Sequence, residues 1–71
     1  MVNVSMLRDA IKNSNHTIKT LALAIGIDES TFYRKLNRSG STFTLEQADL
    51  IKKELNLNAK KAQEIFFSHT V

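Results

Sequence analysis

Residues Thr17–Asn37 read TIKTLALAIGIDESTFYRKLN, and the punctuation of this stretch decides the fold. Ile18, Leu21, Ala22 and Ile25 recur at the spacing of one helical face. Gly26 follows at once, and glycine tolerates the left-handed backbone that commonly ends a helix. Asp28 can then accept a hydrogen bond from an amide in the first turn of a new helix, where the helix dipole also favours its charge. Phe32 and Leu36 fall one turn apart on that second helix. The stretch predicts helices over about 18–25 and 29–37, joined by a short turn.

Outward from this segment the same rules apply. Val4, Leu7, Ala10 and Ile11 predict a first helix over about 5–14, with Ser5 as its N-cap. Residues 13–16, NSNH, form a polar break, and Thr17 can cap the helix after it. Residues 38–42, RSGST, read as a loop. Thr44 and Gln47 have the spacing of a capping box, and Phe43 and Ala48 that of a hydrophobic staple. The fourth helix is expected over about 45–55, with Leu45, Ala48, Ile51 and Leu55 as its inner stripe. Asn58 can cap a fifth helix over about 59–67, with Ala62, Ile65 and Phe66 on its apolar face. Residues 1–3 and 68–71 are expected to fray.

The expected fold is therefore all-α: a compact five-helix single domain over 1–71, with no strand signal. Its expected core is Leu7, Ile11, Leu21, Ala22, Ile25, Phe32, Leu36, Leu45, Ala48, Ile51, Leu55 and Ile65. The chain has 71 residues, no proline and only two glycines, which leaves room for one small helical core. It has no cysteine, so disulfides, iron–sulfur clusters and thiolate zinc sites are excluded. No apolar run approaches a membrane span, and no basic segment followed by an apolar stretch suggests a signal peptide. A cytoplasmic protein is expected.

Chemistry for catalysis is missing from the pattern. No nucleophile motif surrounds Ser30, Ser39 or Ser41, and there is no glycine-rich phosphate loop. His16 and His69 have no ligand-spaced partners, so neither reads as a metal site. No enzyme activity, cofactor or small-molecule substrate is expected. The net charge is a mild +3, but its distribution is informative: Arg34, Lys35 and Arg38 stand in a stretch, 30–45, with no acidic residue. Lys52-Lys53 and Lys60-Lys61 read as solvent-facing charges. Phe66 and Phe67 point in different directions on a helix, so one belongs in the core and the other at its edge or on a partner.

Two helices joined by a tight turn form the frame of a DNA-binding helix-turn-helix, whose second helix enters the major groove. The supporting helix must offer small residues beneath the crossing, for which Ala22 and Ala24 are suited. Ile27 can plug the corner. Glu29, Ser30, Thr31, Tyr33, Arg34, Lys35 and Asn37 remain, nearly all able to form hydrogen bonds. Arg34 lies five residues beyond Glu29, a little over one turn, so both are expected to face one groove. The Tyr33 ring could read a base or cover the edge of the core.

The segment TLALAIGIDESTFYRKLN resembles the lambda-repressor-like, Cro-type helix-turn-helix family of bacteriophage and bacterial regulators. The matching elements are Leu21-Ala22, Gly26, the capping Asp28, and the run from Thr31-Phe32 to Leu36-Asn37. The resemblance implies a small phage regulator of lysogeny, a repressor or Cro-like protein that binds a double-stranded DNA operator, commonly as a homodimer. It implies base contacts at Glu29, Ser30 and Arg34, with Thr31 and Tyr33 alongside. It implies phosphate contacts at Thr17, Ile18 and Lys19 and, after the second helix of the motif, at Arg38, Ser39, Ser41 and Thr42. Lys35 is expected to touch phosphate as well. Two features depart from the family pattern. A glutamine that commonly buttresses a base contact is replaced by Thr17 or Ile18. Asp28 and Glu29 also put carboxylates at the tip of the recognition helix. That acidic tip suits a second reading, a modulator of the same fold that binds a partner repressor protein.

Overall fold

The computed structural model describes residues 2–38 and 43–67. The loop residues Ser39, Gly40, Ser41 and Thr42 and the tail that holds His69 lie outside the described residues. Among the described residues five helices follow one another: α1 (Val4–Lys12), α2 (Ile18–Ala24), α3 (Glu29–Asn37), α4 (Leu45–Glu54) and α5 (Ala59–Phe66). Among the described residues there is no strand.

Each helix starts at a side-chain cap, because its first amides have no partner within the helix. Asn3 caps α1 by accepting from the Met6 amide at 3.0 Å, not Ser5 as the sequence reading expected. The helix begins earlier because asparagine at the cap satisfies an amide that Ser5, already inside the helix, cannot. Thr17 and Thr20 cap α2 reciprocally, at 3.2 and 2.9 Å. Thr44 and Gln47 do the same for α4, at 3.0 and 3.1 Å. Asn58 accepts from the Lys61 amide at 2.7 Å to start α5.

The ends of α2 and α4 share one device. Gly26 has φ +86°, and the Ile27 amide reaches back to the Ala22 carbonyl at 3.0 Å. Asn56 has φ +55°, and the Leu57 amide reaches the Lys52 carbonyl at 2.9 Å. Both are left-handed stops that satisfy a carbonyl of the last turn. The next helix starts after four residues in each case, 25–28 and 55–58; α3 packs against α2, and α5 packs against α1.

Leu7, Ile11, Leu21, Ala22, Ile25, Phe32, Leu36, Ile51, Leu55, Ile65 and Phe66 are buried together as a single core. The expected Ala48 is half-buried against it, as are Phe43, Leu50 and Leu57. Leu45 is not part of it: 75% of that residue is exposed. It stands about 120° around α4 from Ile51, so the two cannot share one face. Ala24 is exposed as well, and Ala22 alone provides the small buried residue of α2. Of the paired phenylalanines, Phe66 is the buried one. No buried side-chain nitrogen or oxygen among the described residues lacks a hydrogen-bond partner. No described helix is long and apolar enough to cross a membrane.

Candidate nucleic-acid interface

The side chains of α3 divide cleanly. Phe32 and Leu36 are fully buried and fix the helix to the core. Glu29, Ser30, Tyr33, Arg34 and Asn37 are exposed, as is Arg38 just beyond the last turn. Thr31 and Lys35 are half-buried flanks. At about 100° per residue, Ser30, Arg34 and Asn37 form the face opposite Phe32 and Leu36. Glu29 lies about 140° around the axis from Arg34, so the expected pairing of these two on one face does not hold. Ser30, one turn before Arg34, is the residue that shares its side. Glu29 instead lines up with Tyr33, on the flank nearer the core.

Asp28 organises the start of this face. Its Oδ1 accepts from the Thr31 amide at 2.7 Å and from the Ser30 hydroxyl at 3.1 Å. The Thr31 side chain and amide, then Ser30 and the charge of Arg34, hold the Asp28 carboxyl below its ordinary value near 3.8. The aspartate is therefore negative at neutral pH, and the Ser30 hydroxyl is already donated to it. Any group that approaches the tip of α3 meets a fixed negative charge.

Two aromatic rings support the other end. Phe43, which enters from the α3–α4 connection, meets Phe32 edge-on with centroids 5.3 Å apart. The Lys35 ammonium sits over the Phe43 ring at 5.8 Å. A cation over an aromatic face is attracted by the ring quadrupole, so the position of Lys35 is narrowed while its charge is kept. The sequence held a signal for Phe43, as an aromatic residue just before a capping box, but not its link to Lys35.

The expected phosphate contacts are placed unevenly. Lys19 is exposed in the first turn of α2. Thr17 is exposed too, but its hydroxyl is occupied by the cap. Ile18 packs partly against the core. His16, an unassigned loop residue in the sequence, bonds Thr20 Oγ1 through Nδ1 at 3.1 Å and Glu54 Oε1 through Nε2 at 3.0 Å. It thereby ties the start of α2 to the end of α4. Among the described residues, no group of three or more His, Cys, Asp or Glu is arranged to hold a metal ion.

No family model matches the chain, and neither a curated protein nor a solved structure matches it.

Proposed function

We propose that the chain is a sequence-specific DNA-binding transcriptional regulator of phage type, in which α2 and α3 act as a helix-turn-helix and α3 enters the major groove. The observation that carries this reading is the division of α3. Phe32 and Leu36 anchor it, while Ser30, Arg34 and Asn37 form an outward face able to hydrogen-bond base edges. An α-helix fits the major groove when such a face is unobstructed and a second helix holds it at its root. Here α2 is that support, joined through the left-handed Gly26. Arg34 reads a base, Tyr33 flanks it, and Lys19, Lys35 and Arg38 lie against phosphates. The protein works as two copies on a site of two half-sites.

One observation favours a second reading. Asp28 is held ionised at the tip of α3, with Glu29 beside it. Fixed carboxylates are repelled by phosphates but attracted by a basic protein surface. On that reading the protein binds a partner repressor and alters its activity. A gel-shift with DNA from upstream of the protein's own coding region, run alone and with the neighbouring regulator, separates the two. A salt-sensitive, competitor-resistant shift by the purified chain supports operator binding. A shift that changes only when the partner repressor is present supports the modulator.

A further inference from the structure

His16 stands in the connection between α1 and α2, and its ring is held from two sides. Nε2 is 3.0 Å from Glu54 Oε1 at the end of α4, and Nδ1 is 3.1 Å from Thr20 Oγ1 in the first turn of α2. The two side chains of the His16–Glu54 pair are 23% and 40% exposed, so the ring is the more sheltered partner. α2 packs against both α3 and α4. The bridge therefore adds a polar tie between the helix that supports α3 and the rest of the fold.

The partners decide where the protons belong. An ionised carboxylate only accepts, so Nε2 must carry a hydrogen. The Thr20 hydroxyl has one proton and two lone pairs. One lone pair accepts from the Thr17 amide at 2.9 Å, and the proton has the Thr17 carbonyl as an acceptor at 3.2 Å. The Thr17 hydroxyl, at 3.4 Å, is the farthest of these groups and is exposed, so it can face water instead. The second lone pair is then left for a hydrogen on Nδ1. A ring protonated on both nitrogens makes all of these bonds together. A neutral ring keeps Nε2–H toward Glu54, but its Nδ1 competes with the Thr17 carbonyl for the one Thr20 proton, and the charge opposite Glu54 is gone.

The other charges of the neighbouring elements act more weakly. Lys53, beside Glu54, pairs with Asp49 at 3.1 Å, and Lys52 lines the α5 side of α4. Lys12 at the end of α1 and Lys19 on α2 are exposed, so water and salt screen their repulsion of a charged ring. We propose that His16 is a proton-operated clamp: as an imidazolium it locks the start of α2 to the end of α4, and loss of its Nδ1 proton loosens that tie. Stability drawn from the clamp is present where the ring is charged and is lost as pH rises through the range, about 5 to 8, in which histidine changes charge. The direction is opposite to that of Asp28, whose contribution is lost on acidification. The clamp belongs to the fold and does not depend on which partner α3 meets.

Urea unfolding of the full chain as wild type, His16→Gln, Glu54→Gln and the double variant measures the coupling between the two side chains. His69 is common to all four chains and cancels. At about pH 5.5 the coupling should change the unfolding constant by about three- to fivefold, as expected of a pair that water partly screens. At about pH 8 it should fall below about twofold. Equal coupling at both pH values overturns the inference, because a fixed structural contact behaves that way, and so does the absence of coupling at either. The wild-type chain gives a second check that no variant's folding can confound. Nitrogen NMR of the His16 ring should show both nitrogens protonated at the lower pH and Nε2–H alone at the higher one. A neutral ring that carries its hydrogen on Nδ1 also overturns the inference.

Discussion

Phe43 meets Phe32 edge-on, their ring centroids 5.3 Å apart and their planes at 65°. The contact joins the residue just before α4 to the buried root of α3, so the outward face of α3 is braced from below as well as by α2. Phe32 is fully buried, whereas Phe43 is half-buried. Phe32→Ala should cost about 3–5 kcal/mol. A domain of this size has roughly 5 kcal/mol in total, so urea or thermal unfolding should find the variant close to unfolded at room temperature. A melting temperature equal to wild type would contradict the burial of Phe32.

The cap of α4 is a local device and should respond locally. Thr44 accepts from the Gln47 amide at 3.0 Å. Thr44→Ala should lose about 1 kcal/mol, and Thr44→Asp should be nearly neutral because aspartate caps as well as threonine. Urea midpoints at constant slope measure both, and an alanine variant as stable as the parent would remove the cap from the account.

Asp28 makes part of the stability depend on pH. Its carboxyl is held below its ordinary value near 3.8 by Thr31, Ser30 and Arg34. A depressed carboxyl stabilises the fold fully above its unfolded value, and that contribution is lost as pH falls through the folded one. The melting temperature should therefore drop as the solution is acidified below about pH 4. Asp28→Asn keeps a capping oxygen without the charge, so its decline over the same range should be shallower. Parallel curves for the two proteins would show that Asp28 does not contribute.

The structure bears out most of the local cap signals, Ser5 excepted, and departs from the sequence reading elsewhere where helical pitch or distant neighbours decide. Gly26, Asp28, Thr17, Thr44 and Asn58 act within a turn of themselves, and each occupies the position its chemistry requires. Leu45 has the residue type of a core position but lies on the α5 side of α4, and Phe43 two residues earlier already covers Phe32. The spacing itself, read at about 100° per residue, already sets Leu45 about 120° from Ile51 and off the inner stripe. Leu45→Ala should accordingly change stability by no more than about 0.5 kcal/mol, while Ile51→Ala should cost about 2–5 kcal/mol. On the candidate interface, residue types identify the outward positions, but the expectation that Glu29 and Arg34 face one groove fails at the helical pitch, which sets them about 140° apart. The His16 link to Glu54 spans 38 residues, beyond any local pattern.

The operator reading makes separable forecasts for neighbouring residues of α3. Arg34 points away from Phe32 and Leu36 and can take a guanine through two hydrogen bonds, which is worth about 1–3 kcal/mol of discrimination. Arg34→Ala should weaken cognate binding and relax the preference at one base pair. Lys35 stands on the flank over Phe43; on the operator reading it meets backbone phosphate and carries no sequence information. Lys35→Ala should weaken binding to all DNA about equally and lower the salt dependence by about one unit. Binding should also follow two half-sites about ten base pairs apart. Titrations on cognate and scrambled duplexes over a range of salt distinguish these effects. The modulator reading forecasts the reverse: little sequence preference even in low salt, and an Arg34→Ala variant that loses a partner repressor instead. A footprint absent with the chain alone, and altered only when that partner is added, would exclude operator binding.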